Sequence, residues 1–226
     1  MVNMLDLFFP RCCPVCGQLV ADEVVLCHKC MHALRRTEQS YLRDNVTEAL
    51  FCDIPKFVRG AVFFFFEHDD PMHRALHKMK YGRFADPQIA YVLAKEAASD
   101  FIQSDFFDGI DFFIPVPLHP KRLRERGFNQ SEWICKALSE VTGIPTDTTH
   151  LTRVIDNDHQ ALMAKKEREE NVKNIFAVNH PEELYRKHIM LVDDIITNGS
   201  TLRSCMTALK PIRGHRVSVF GLGKVH

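Results

Sequence analysis

The sequence predicts an α/β chain, a mostly parallel sheet with helices on both faces, preceded by a small cysteine-rich module. Three observations predict it. From Gly60 onward, apolar runs of strand length alternate with patterns of helical period, and strands that alternate with helices form parallel sheets covered on both sides. One of these runs, "IMLVDDIITNGST" from Ile189 to Thr201, passes from apolar strand to turn chemistry and then to a helix. Five of the eight cysteines crowd into the first 30 residues, in a segment too short to build much of a core by itself.

The cysteine segment comes first along the chain. "CCPVCGQLVADEVVLCHKC" holds Cys13-x-x-Cys16 and, ten residues later, Cys27-x-x-Cys30. Two tight turns that each present two thiolates grip a tetrahedral Zn²⁺ from both sides, with bonds of about 2.3 Å, and supply the folding energy that a short segment lacks. Gly17 suits the turn after the first pair. A redox site of thioredoxin type needs one such pair, not two. Cys12 could replace Cys13, but the two-residue spacing favours Cys13. His28 and His32 are close in sequence, yet four thiolates already complete a structural site. The isolated Cys52, Cys135 and Cys205 are expected to be buried thiols.

A polar stretch then runs to Pro55, which divides the chain into a zinc module, residues 1–54, and a larger domain, residues 55–226. "GAVFFFFEH" reads as a strand, "PMHRALHKMKYG" as a short helix, and "DPQIAYVLAKEAASDFIQS" as a longer one with Asp86 as cap and Pro87 in its first turn. "IDFFIPVP" is a buried strand and "NQSEWICKALSEVTG" a helix closed by Gly143. "HLTRV" is extended, "LMAKKEREENVKN" a charged helix and "IFAV" a strand. After the strand and helix of the 189–201 motif, "RVSVFGLG" is the last strand.

Composition sets the limits. The chain has 226 residues, 46% hydrophobic and 26% charged, with 29 basic and 29 acidic side chains, so no whole-protein field attracts nucleic acid and any such contact is local. Its longest apolar run, "AVFFFF", is far short of the roughly 20 residues that cross a bilayer. "MLDLFF" contains Asp6 and lacks a basic leader, so no signal peptide is read, no membrane insertion is expected, and the cytoplasm is the expected compartment.

The 189–201 motif poses a chemical question, because Asp193 and Asp194 would repel the anion that the following loop is suited to hold. Thr197, Asn198, Gly199, Ser200 and Thr201 offer hydroxyls, a close backbone approach and the N–H groups of a helix start. A ligand with a phosphate at one end and a pair of hydroxyls at the other satisfies both, since carboxylates accept hydrogen bonds from hydroxyls. A phosphorylated sugar fits. The magnesium strand of a nucleotide hydrolase would need a G-x-x-x-x-G-K-[ST] partner, which the chain lacks, and a nucleotide-dependent oxidoreductase would need G-x-G-x-x-G. The pattern resembles the phosphoribosyl diphosphate (PRPP) signature of type I phosphoribosyltransferases. That resemblance implies a type I phosphoribosyltransferase-like fold in which the acidic pair holds the ribose hydroxyls and the loop holds the 5′-phosphate. Asn198 and Ser200 stand where family members more often have Thr and Ala.

A second segment, "IPVPLHPKRLRERGFNQSE", reads as a basic loop that follows the C-terminal end of another strand and supplies Lys121, Arg122, Arg124 and Arg126. Its prolines stiffen the approach and Gly127 permits an unusual backbone. In a phosphoribosyltransferase these cations, with Mg²⁺, would surround the leaving pyrophosphate. They could also contact DNA phosphates.

The order of the cysteine module, "MKYG", the basic segment, Gln160, "KEREENVKNIF" and "LVDDIITNGST" resembles the ComF family nearly from end to end. The resemblance implies a protein of natural transformation, active in DNA uptake, that binds PRPP or a related phosphosugar and contacts single-stranded DNA or a helicase-like competence protein. The other reading, from the site chemistry, is an active phosphoribosyltransferase that passes ribose 5-phosphate to an unidentified acceptor. No residue stands out as its general base.

Overall fold

The computed structural model describes residues 11–21, 23–80, 85–155 and 175–225. Strands β1 (Arg35–Arg36), β2 (Phe57–Phe66), β3 (Phe112–Pro115), β6 (His188–Ile195) and β7 (Arg216–Val225) form one sheet in the order β1-β2-β7-β6-β3. Neighbours are parallel except β1, which runs antiparallel to β2. Strands β4 (Leu151–Arg153) and β5 (Phe176–Val178) pair antiparallel in a separate ladder. The helices are α1 (His28–His32), α2 (Pro71–Lys80), α3 (Gln88–Phe101), α4 (Pro120–Arg126), α5 (Gln130–Thr142) and α6 (Ser200–Leu209). A mostly parallel α/β sheet was expected and is found. The expected charged helix at 162–174, Gln160, and Tyr81 and Gly82 of "MKYG" lie outside the described residues.

Period-two alternation divides the buried side chains between two cores. Met190 and Val192 of β6 join Phe63, Phe101, Leu93, Leu138 and Phe220 on the face covered by α3 and α5. Ile189 and Leu191 face the other way, with Val62, Val219, Phe51 and the α6 residues Leu202, Cys205, Met206 and Leu209. Strands buried on both faces read as continuous apolar runs, which is why "AVFFFF" and "IMLV" do not alternate.

Helix ends follow their sequence signals. Asp86 Oδ1 accepts from Gln88 N–H at 2.8 Å at the start of α3. Gly143 closes α5 at φ 76° and Gly127 closes α4 at φ 85°, the left-handed region that glycine enters without steric cost.

The segment between the cysteines and Pro55 is bound to the sheet. Thr37 N–H donates to Phe63 C=O at 2.9 Å. Gln39 Oε1 accepts from Val62 N–H at 3.0 Å, and Arg36 reaches Asp100 at 2.7 Å. Cys13, Leu26 and Cys30 share a core with Phe64, Phe66 and Met72.

Candidate functional site

In the cysteine module the four thiols meet. The Sγ atoms of Cys13, Cys16, Cys27 and Cys30 all lie within 4.8 Å of one another, and Cys16 and Cys27 are 3.6 Å apart. A tetrahedron of Zn–S bonds near 2.3 Å has edges of about 3.8 Å, so the set fits structural zinc. Cys13, not Cys12, is the inward thiol. Cys12 bridges to Leu19 in extended chain, where neighbouring side chains point to opposite sides, leaving Cys13 buried and Cys12 exposed. Burial pushes the Cys13 thiol up, but backbone N–H groups of Cys16, Cys27 and Val15 outweigh it and bring the thiol down to about 6. Cys30 is pushed up by burial and by its neighbouring thiols. His28 and His32 pair with each other, Nε2 to Nε2 at 2.9 Å. Of the other cysteines, Cys135 and Cys205 are buried as expected, but Cys52 is exposed. It sits in the turn after the short helix Glu48–Leu50, where Phe51 takes the inward position.

Asp193 and Asp194 lie at the C-terminal end of β6, a strand flanked on both sides, the position where open α/β sheets bind ligands. Asp193 Oδ1 accepts from Asp194 N–H at 2.9 Å, and Asp194 Oδ1 from Ile195 N–H at 2.7 Å. Lys80, the last residue of α2, grips Asp194 through both oxygens, at 2.9 and 2.8 Å. Burial, then the charge of Asp194, push the Asp193 carboxyl up to about 7, against the pull of Lys80 and Arg153.

The chain then turns at Gly199, φ 73°, into α6. Asn198 Oδ1 accepts from Ser200 N–H at 3.1 Å, and the Thr197 carbonyl accepts from Lys224 Nζ at 2.6 Å. Thr197, Asn198 and Ser200 are exposed and Thr201 half-buried. Glycine at 199 is required twice, since an added Cβ would lie 2.8 Å from Phe51 Cζ. Phe51 is held there by Arg203, which lies 5.8 Å over its ring and bonds Asp53 on the same segment at 2.9 Å.

The basic segment is a helix, not the loop expected from its sequence. His119 caps it, with Nδ1 accepting from Lys121 N–H at 3.3 Å, and Pro120 fits its first turn. It leaves β3, the parallel neighbour of β6, so Lys121, Arg122, Arg124 and Arg126 follow the same edge of the sheet as Asp193–Thr201. Arg126 donates to Gln130 Oε1 at 2.8 Å. On α5, Lys136 lies 5.3 Å over Trp133 and 5.8 Å over Tyr91.

Sequence reasoning missed Lys80, Arg153 and Lys224 as neighbours of the acid pair and its loop. Each comes from a different element, and only "MKYG" in the family resemblance pointed near one of them.

The fold and site thus define a parallel α/β protein with an acid-and-glycine loop at its ligand edge and a four-cysteine zinc module. Residues 4–41 match the double zinc ribbon domain. The chain has homologues named for competence and DNA utilization. The DNA utilization protein YhgH of Salmonella typhi is 30% identical over 139 residues, 60% of each chain. Competence protein F of Haemophilus influenzae is 37% identical over 113 residues, 49% of each. Competence protein ComFC of Bacillus subtilis is 26% identical over 190 residues, 84% of this chain and 68% of that one. The match to the DNA utilization proteins spans about 60% of their length. Among solved structures, the glutamine PRPP amidotransferase of B. subtilis aligns with TM-score 0.41 and 20% identity over 63% of this chain and 30% of that one. Hypoxanthine phosphoribosyltransferase of Trypanosoma cruzi aligns with TM-score 0.37 and 11% identity over 59% and 64%. No helix among the described residues is long and apolar enough to cross a membrane.

Proposed function

We propose that this chain is a ComF-type protein of natural transformation that binds PRPP, or a related phosphosugar, with Mg²⁺. The observation that carries the reading is the succession at the end of β6: two adjacent carboxylates, then a glycine turn opening a helix. In this reading Asp193 and Asp194 accept from the ribose hydroxyls. Residues Thr197 to Thr201 hold the 5′-phosphate with hydroxyls and helix-start N–H groups. Lys80 shields Asp194 until a diol shares it. Mg²⁺ would be held chiefly by the diphosphate, with carboxylates at the site edge. Its bound role is to neutralise phosphate charge.

Lys121, Arg122, Arg124 and Arg126, on the same edge, contact either the diphosphate or single-stranded DNA in this proposal, and a helicase-like competence protein is the partner class that the family resemblance implies. The division into residues 1–54 and 55–226 is proposed on the same footing, with the zinc module packed on the sheet edge.

The test is thermal unfolding with and without Mg·PRPP. A ligand at 100 times its Kd adds about 2.7 kcal/mol, and Asp193→Asn with Asp194→Asn should abolish the shift. An unchanged response in the double variant would overturn the assignment. Pyrophosphate release in the presence of candidate acceptors separates the binding module from an active transferase.

A further inference from the structure

A cavity of about 340 Å³ opens between α6 and the starts of β2 and β7, where Val217 pairs with Phe57 on one side and Ile189 on the other. Because β2, β7 and β6 are parallel, it lies at the opposite end of the sheet from Asp193. Its size falls within the range of small-molecule sites, about 300–1,000 Å³. Arg203, Met206, Thr207 and Lys210 line it from α6 at the i, i+3, i+4, i+7 spacing of one helix face. Ile54 and Pro55, from the segment before β2, join Met206 and Val217 as its apolar wall.

The charge around this cavity does not balance. Asp53, its one acid among the described residues, is taken by Arg203, which holds both carboxylate oxygens at 2.9 and 2.6 Å. Lys56 and Lys210 also line the cavity, and neither has an acidic partner among the described residues. Lys56 is fixed in place. Its φ of 75° lies in the left-handed region that a Cβ disfavours, its C=O accepts from Val217 N–H at 2.9 Å, and its Nζ donates to Ile212 C=O at 2.8 Å. Ile212 is two residues past Lys210, the residue that closes α6, so both lysines stand at the same end of the cavity. A helix C-terminus carries only about half a negative charge, which leaves two ammonium groups in surplus. His215 adds none: burial and the charge of Lys56 outweigh its Nδ1 bond to Ile212 C=O and push the imidazole down from its ordinary value.

We propose that this cavity is a second ligand site, for a small phosphate monoester with an apolar or aromatic body, held by Lys56 and Lys210 at its phosphate and by Met206 and Val217 along its body. A phosphate monoester carries a charge of about −1.5 to −2 at neutral pH, which two lysines match, and lysine binds phosphate as a point charge. The apolar wall takes the ester group, which inorganic phosphate lacks. The site is independent of the PRPP reading, because none of residues Asp193 to Thr201 lines it.

The experiment titrates phenyl phosphate into the full chain and follows the Met206 methyl by NMR, with isotope-labelled methionine. A saturable shift of that methyl is expected, and phenol and inorganic phosphate, each lacking one half of the ligand, should bind more weakly. Lys56→Gln and Lys210→Gln should each weaken binding at least about tenfold, the effect of removing one hydrogen bond to a charged group. Both lysines are exposed, and glutamine at 56 can still donate to Ile212 C=O, so the variants keep the fold. An unmoved methyl of the buried Met190 checks this. A Met206 methyl that does not move at millimolar phenyl phosphate would overturn the proposal, whether the phosphate binds at the Asp193–Thr201 loop or not at all. A shift that both lysine variants retain at the parent's affinity would do the same, and benzoate binding as tightly as phenyl phosphate would overturn the assignment to a dianion.

Discussion

Substituting Gly199 by alanine tests the shape of the proposed phosphate loop, and two other parts of the molecule supply its controls. At φ 73° an alanine pays about 1–2 kcal/mol for left-handed backbone, offset by about 0.4–1 kcal/mol from restricting the unfolded chain. The new Cβ would also lie 2.8 and 2.9 Å from Phe51 Cζ and Cε1. Phe51 is fully buried and pinned by Arg203, so it cannot swing away, and overpacking of that kind costs about 1–3 kcal/mol. The total is about 2–4 kcal/mol. Gly127 has φ 85° but nothing within 4 Å of an added Cβ, so Gly127→Ala should cost only the backbone part, about 1 kcal/mol. Urea unfolding of both variants gives the difference directly. A third measurement places Gly199→Ala in a Phe51→Leu background, where its cost should fall to the Gly127 level, since only residues in contact couple. Equal costs for Gly199→Ala and Gly127→Ala in the parent would refute the reasoning and leave the loop shape unconstrained by Phe51.

Four further outcomes are expected. Cys27→Ser should release the zinc, read by metal analysis, and lower the thermal midpoint of the whole chain, because Cys13, Leu26 and Cys30 share a core with β2 residues Phe64 and Phe66. Asp193, raised to about 7 from 3.8, binds its proton more tightly folded than unfolded, so its contribution to stability is lost as pH rises from about 4 to 7. Asp193→Asn should accordingly match the parent near pH 4 and be relatively more stable above pH 7 in urea unfolding. The Mg·PRPP-induced thermal shift should be larger at pH 8 than at pH 6, since the ribose hydroxyls need the ionised carboxylate; a shift independent of pH would count against that role. Single-stranded DNA binding through three or four cations should show a log-log salt slope of about −2 to −3, made shallower by Arg122→Ala with Arg124→Ala and competed by Mg·PRPP if the helix serves both ligands.

Local pattern determined most of the elements. Periodicity and cap residues marked β2, β3, α3, α5, β6 and α6 because each buries apolar side chains on a repeat that the chain itself carries, and Gly143 or Asp86 ends a helix through bonds to its own neighbours. The two C-x-x-C pairs were legible for the same reason: each turn is closed within a few residues. The DD-x-x-x-x-G succession was legible too, since a strand end and a helix start adjoin in sequence. What remained hidden depends on contacts between distant segments. The basic stretch reads as a loop until His119 and Gly127 are seen to cap it. Lys80 meets Asp194 across 114 residues, and its charge pulls against the burial and the Asp194 charge that raise the Asp193 carboxyl. Phe51 lies under Gly199 only because Arg203 of α6 holds its segment. Sequence carries the identities of such side chains. Their distances follow from packing, which closes the sheet and brings residues far apart in the chain within bonding range.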